Sequence, residues 1–232
     1  MQELKTAEDR YGYDISDEKV LMRFSNRESI VIGTITQSFA GFENLNTTTM
    51  LFADIDIGNP QVQEGCLIDS EAPAIAALKE VVHFSCVFPD RKPFYFPGFF
   101  KRLFGLGFDA KISTALYFDI AFKEDIGFRV YRTKNGLRVM CATHEFLPCK
   151  SDGLMRFIYS DPRYRRLCKK QDVFRARTTP KLWRLVAGRE DEARVCDYVE
   201  TIGNTSILPE FDRMVAYHDS ATGVFKKGGY LA

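Results

Sequence analysis

No stretch of about 18 consecutive apolar residues occurs in this 232-residue chain, so the sequence offers no segment able to cross a bilayer as a helix. Met1-Gln2-Glu3-Leu4-Lys5 is polar where a secretory leader would turn apolar. The six cysteines (66, 86, 141, 149, 168 and 196) include no CxxC and no tight pair, which argues against a zinc site and a disulfide framework. Scattered thiols in a chain of this size predict a reduced, cytoplasmic protein. A P-loop and a dinucleotide-binding glycine fingerprint are absent. There is no nucleophile elbow and no Cys/His context for hydrolase chemistry. Repeats, low-complexity segments and linkers are missing too, which predicts one α+β domain over 1–232.

What is present is a core-forming composition: 45% hydrophobic and 13% aromatic, with 20 Phe. The formal net charge of +1 conceals an asymmetry. Residues 156–184 carry ten Lys or Arg against two Asp. A patch of one sign on a near-neutral chain points to a local polyanion, either phosphate or nucleic acid, although a solvated helix face has the same composition.

The organising stretch is Thr47–Ile57. In a strand, Asp54 and Asp56 share one face, while Leu51, Ala53, Ile55 and Ile57 share the other. Two carboxylates about 7 Å apart over an apolar underside suit a divalent cation, Mg²⁺ or Mn²⁺, through hard oxygen ligands. A solvated outer face of an antiparallel strand would also carry acids, but Asp is depleted in strands.

Around this stretch, residues 1–28 read as a leading helix or arm. The β-branched run 29–36 reads as a strand and 41–46 as a turn into the carboxylate strand, with the two strands as antiparallel neighbours. Ile75, Leu78, Val82 and Cys86 repeat at helical spacing within 72–87; His83 lies beside that stripe as an ordinary helix residue. Residues 90–108 interleave seven aromatics with four basic residues and two prolines. Such a segment stacks bases, docks on a membrane surface, or folds its rings into the core.

Residues 113–122 read as a strand. Residues 128–144 form a hairpin whose Asn135-Gly136 tip tolerates positive φ. On its return strand, Arg138 and His144 share a side and could reach one cleft. Ser151 or Asp152 caps a helix through 159, and Asp161-Pro162 is an N-cap and first-turn pair for the next. Arg175 and Arg177 then share a face of an extended segment, a spacing suited to phosphate oxygens. Residues 189–202 read as a helix closed by Gly203, and the tail holding His218-Asp219 as loose.

This order resembles the archaeo-eukaryotic primase superfamily. Met50–Asp56 matches its hhhDhD motif. Arg132–Arg138 is similar to its sGxGxH hairpin, with Arg138 where the family has His. Phe174–Lys181 looks like its third, basic stretch, which follows a carboxylate, here Asp161 or Asp172. The resemblance covers roughly 47–184 and implies a mainly antiparallel sheet with an RRM-like or palm-like core (about 29–184) and a helical C-terminal portion (185–232). It implies a metal-dependent nucleotidyltransferase of primase–polymerase type. Asp54 and Asp56 would be catalytic and hold Mg²⁺ or Mn²⁺. Arg132, Lys134, Arg138, His144, Arg175, Arg177 and Lys181 would bind nucleoside triphosphate, and the basic stretch 156–184 would bind DNA or RNA. Phe52-Ala53-Asp54-Ile55 also resembles the metal strand of class III nucleotide cyclases, but the hairpin tip lacks their second Asp. The competing class is a non-catalytic nucleic-acid- or protein-binding module on the same fold.

Overall fold

Two four-stranded antiparallel sheets carry the structure, a computed structural model that describes residues 18–58, 66–87 and 126–232. The first sheet orders β1 (Lys19–Ser25), β2 (Val31–Gln37), β3 (Glu43–Thr47) and β7 (Phe174–Arg177) side by side. The second runs β4 (Leu51–Asp56), β6 (Gly136–Cys141), β5 (Gly127–Thr133) and β9 (Cys196–Gly203). A two-stranded parallel pair, β8 (Ala193–Arg194) with β10 (Tyr230–Leu231), ties down the C-terminus. One continuous core draws on both sheets, from Phe24, Ile35 and Leu45 to Phe52, Phe128 and Val139. Among the described residues no helix is long and apolar enough to cross a membrane.

The helices cover these sheets. Residues 72–87 form α1 (Ala72–Val87) as expected, but its buried face is Ala74, Ala77, Leu78 and Val81; of the expected stripe only Leu78 is buried, Ile75 and Val82 being half-buried and Cys86 exposed. Two shorter helices follow the hairpin, α2 (Asp152–Phe157) and α3 (Pro162–Gln171). Asp161 caps α3 as its sequence context predicts, accepting from the amides of Arg163 (3.0 Å) and Tyr164 (3.3 Å). The last helix, α4 (Asp212–Ala221), is anchored by a buried network on the second sheet. There Asp219 accepts from Tyr131 (2.8 Å) and Arg129 (2.6 Å) and meets His218 Nδ1 at 3.0 Å.

Several expectations are corrected. Residues 189–202 are not helical but run through a short 3₁₀ turn into β8 and β9. Pairing with β5 from Gly127↔Gly203 to Thr133↔Cys196 overrides the helix-favouring acids at its start. Gly203 still ends the element, at φ +89°, where a Cβ would strike the Ile126 carbonyl. The C-terminal portion is therefore mixed rather than helical. Its tail is tied, with the Ala232 amide donating to Arg194 O at 2.8 Å. Residues 43–47 are strand β3 rather than turn, so β2 pairs with β3, and β4 pairs with β6 in the other sheet. Residues 19–25 are strand β1. The aromatic segment 90–108 and the strand expected at 113–122 lie outside the described residues.

Candidate active-site cleft

The two sheets meet where β7 of the first lies against β4 of the second. One side chain bridges them there through both of its hydrogen bonds. The buried Tyr164 hydroxyl donates to Phe52 O on β4 (3.1 Å) and accepts the Arg175 amide of β7 (3.1 Å). Tyr164→Phe strands two buried backbone groups and is expected to cost about 2 kcal/mol, measured by urea unfolding. The same junction is closed at Asp54, whose backbone carbonyl accepts from the Asp161 amide (2.9 Å) and the Ser160 hydroxyl (3.1 Å). The cap of α3 is thereby fixed against the middle of the carboxylate strand.

This junction floors a cleft of about 630 Å³. Its lining includes the acids Asp54, Asp56 and Asp161 and the bases Arg138, Arg175, Arg177, Lys181 and Arg184. The pleat aims both strand acids into it, while Leu51, Ala53 and Ile55 are buried on the opposite face. Arg138 sits opposite Asp54 in the β4–β6 register. Its guanidinium forks onto Asp54 (Nε to Oδ1 2.9 Å, Nη2 to Oδ2 3.4 Å) and donates from Nη1 to Arg177 O at 2.7 Å. Burial works against that charge, but the Asp54 carboxylate outweighs it and the guanidinium is held more firmly protonated than usual.

The remaining acid is different. Among the described residues, the Asp56 carboxylate has no hydrogen-bond or ion-pair partner. Burial, reinforced by Asp54 and Asp161, pushes its pKa up to about 6. At Lys181 the shift has the opposite sign. Burial lowers the Lys181 ammonium, and Arg177 and Arg184 lower it further, against the pull of the acids. The cleft thus brings together an acid whose proton is held more tightly than usual and an ammonium whose proton is held less tightly.

As a cation site the donor set is two strand carboxylates. The oxygens of Asp161 accept helix amides, and among the described residues no group of three or more His, Cys, Asp or Glu could hold a metal. That set fits Mg²⁺ or Mn²⁺, which ordinarily take one or two carboxylates and complete their shell with ligand phosphates and water. The partnerless Asp56 is the group such an ion would engage.

Of the residues expected from sequence, Asp54, Asp56, Arg138, Arg175, Arg177 and Lys181 converge on this cleft. Arg132, Lys134 and His144 are not among its lining residues. Arg132 instead forks onto Glu71 (2.9 and 2.8 Å) ahead of α1, Lys134 is exposed on the hairpin tip, and His144 packs edge-on against Phe146 at 5.0 Å. His144 therefore does not share the cleft with Arg138. Arg138 itself is only 2% exposed and spends three of its N–H groups on protein. Arg175 is ion-paired to buried Glu18. The basic run 156–184 splits: Arg166, Lys169 and Lys170 point outward on α3, and only its later members reach the cleft. Asp161 belongs to the site as well as to the cap, whereas Asp172 only ends α3 in the left-handed region at φ 51°.

Sequence reasoning placed Arg184 only within the basic stretch 156–184 and missed Trp183 and the loop residues Phe39 and Phe42. Only the closeness of Trp183 to Lys181 could have signalled them. No family model, no curated protein and no solved structure matches the chain.

Proposed function

We propose that this cleft binds a nucleoside triphosphate with Mg²⁺ or Mn²⁺ and serves nucleotidyl transfer of the primase–polymerase type. The observation that carries the reading is the convergence, in one cleft, of the Asp56 carboxylate on β4 with Lys181 and Arg184, whose charges act on it, and with Arg177. A phosphate chain bearing a divalent ion is complementary to the acid and the bases at once. Asp54 and Asp56 would hold the ion, which when bound would polarise the phosphate and favour an attacking hydroxyl. Arg177, Lys181 and Arg184 would bind phosphate oxygens and stabilise charge developing there. Arg138 is better cast as a positioning residue that fixes Asp54.

The topology supports the palm-like or RRM-like reading. Among the described residues, β4, α1, β5 and β6 follow in that order with strand order β4-β6-β5, and β6 lies antiparallel between two strands of common direction, as in a split βαβ arrangement. α3 then leads into β7 beside β4. Six free cysteines favour a reducing, cytoplasmic setting for this activity.

Isothermal titration with Mn²⁺ and a nucleoside triphosphate tests the proposal. Measurable affinity is expected, falling at least roughly tenfold in Lys181→Ala, together with primer extension on a nucleic-acid template. The alternative, a binding module without catalysis, is favoured by one observation: Asp54 is already ion-paired to Arg138. It predicts steeply salt-dependent affinity for DNA or RNA that ignores Asp56, and no extension.

A further inference from the structure

Beside the basic residues of the cleft stands an aromatic surface that phosphate binding does not use. The chain beyond β7 stays pinned to β3: the Thr178 amide donates to Glu43 O (2.9 Å), and the Glu43 amide donates to Thr179 Oγ1 (2.9 Å). This pinning delivers residues 181–184 next to the β2–β3 loop. Trp183, the only tryptophan in the chain, is 69% exposed there. Its ring is braced edge-on by Phe42 (centroids 5.3 Å apart, 77° between planes). The Lys181 ammonium lies 5.4 Å from the ring centroid. Phe39, on the loop, lines the same cleft and is 89% exposed. Exposed rings gathered beside one polar-rimmed cleft are the kind of apolar patch that marks a ligand-binding groove.

We propose that Trp183, braced by Phe42 and accompanied by Phe39, is the seat for the nucleobase of the bound nucleotide, which is recognised by stacking. The inference rests on the nucleoside-triphosphate reading and adds the base to it. A cation that can take phosphate stands beside an open indole, so neighbouring side chains could engage the charged and the aromatic ends of one nucleotide. Every base has a π-face, so stacking tolerates all four bases, and the cleft would not select strongly among nucleotides.

The single tryptophan is its own reporter. With Mn²⁺ present, a purine nucleoside triphosphate is expected to quench Trp183 emission, while inorganic tripolyphosphate binds by calorimetry without quenching. Trp183→Ala should lower affinity for the nucleotide at least roughly tenfold more than it lowers affinity for tripolyphosphate, and Trp183→Phe should retain most of the nucleotide affinity. Unaltered nucleotide affinity in Trp183→Ala overturns the proposal, as does calorimetric binding of the nucleotide without any change in emission. Quenching by a short single-stranded oligonucleotide but not by the nucleotide overturns it too, and assigns the ring to a strand. If neither nucleotide nor tripolyphosphate binds, the triphosphate reading itself falls and takes this one with it.

Discussion

Arg138→Ala is expected to lower stability by about 3 kcal/mol, a drop of roughly 10 °C in Tm for a chain of this size, read by calorimetry or urea unfolding. Two losses combine. The Asp54 carboxylate, 36% exposed, loses the counter-charge that faces it across the β4–β6 ladder. The Arg177 carbonyl loses its 2.7 Å donor, and with it one of the links between the two sheets. Arg138→Lys should recover only part of the loss, since an ammonium cannot fork onto Asp54 while reaching Arg177. Stability within about 0.5 kcal/mol of the parent for the alanine variant would show that the ion pair is incidental to the fold.

Asp56→Asn should act in the opposite direction. A carboxyl that titrates near 6 in the fold and near 3.8 as its ordinary value holds its proton more tightly folded than unfolded. Its favourable contribution is complete below the lower value and is lost as pH rises through about 6. At pH 7.5 the ionised Asp56 is therefore destabilising, by about 2 kcal/mol once solvent screening is allowed for. The asparagine variant should melt several degrees higher than the parent at pH 7.5. The difference should shrink as pH falls through about 6 and vanish only below about 3.8. A variant that melts lower than the parent across this range would mean that Asp56 is held by favourable contacts.

Much of the site was legible because its information is local. Alternation in Leu51–Asp56 alone puts both acids on one face, and the same rule pairs Arg175 with Arg177. Asn135-Gly136 sets the hairpin, which puts Arg138 opposite Tyr131; its pairing with Asp54 comes from the separate β4–β6 ladder. A Cβ at position 136 would run into the Ile55 carbonyl at 2.0 Å, so the close approach of β6 to the end of β4 requires the glycine. What could not be read was long-range. Whether Arg175 faces a ligand or a partner depends on Glu18, 157 residues away. Arg132 is drawn to Glu71 by the packing of α1, which no spacing reveals. The helix expected at 189–202 failed because β5 offers that segment an open edge, and strand pairing outweighs the local preference of its acids. Asp161 shows that one residue can both cap a helix and line a site, roles that sequence weighed as alternatives.

The central claim is that the acids and the cations of the cleft act on one ligand. The most direct measurement is the factor by which Mn²⁺ raises tripolyphosphate affinity in the parent chain and in Asp56→Asn, by calorimetry at pH 7.5. An enhancement of about tenfold or more in the parent, reduced to less than about twofold in the variant, is predicted. Equal enhancement in both chains, or none in the parent, would contradict the account.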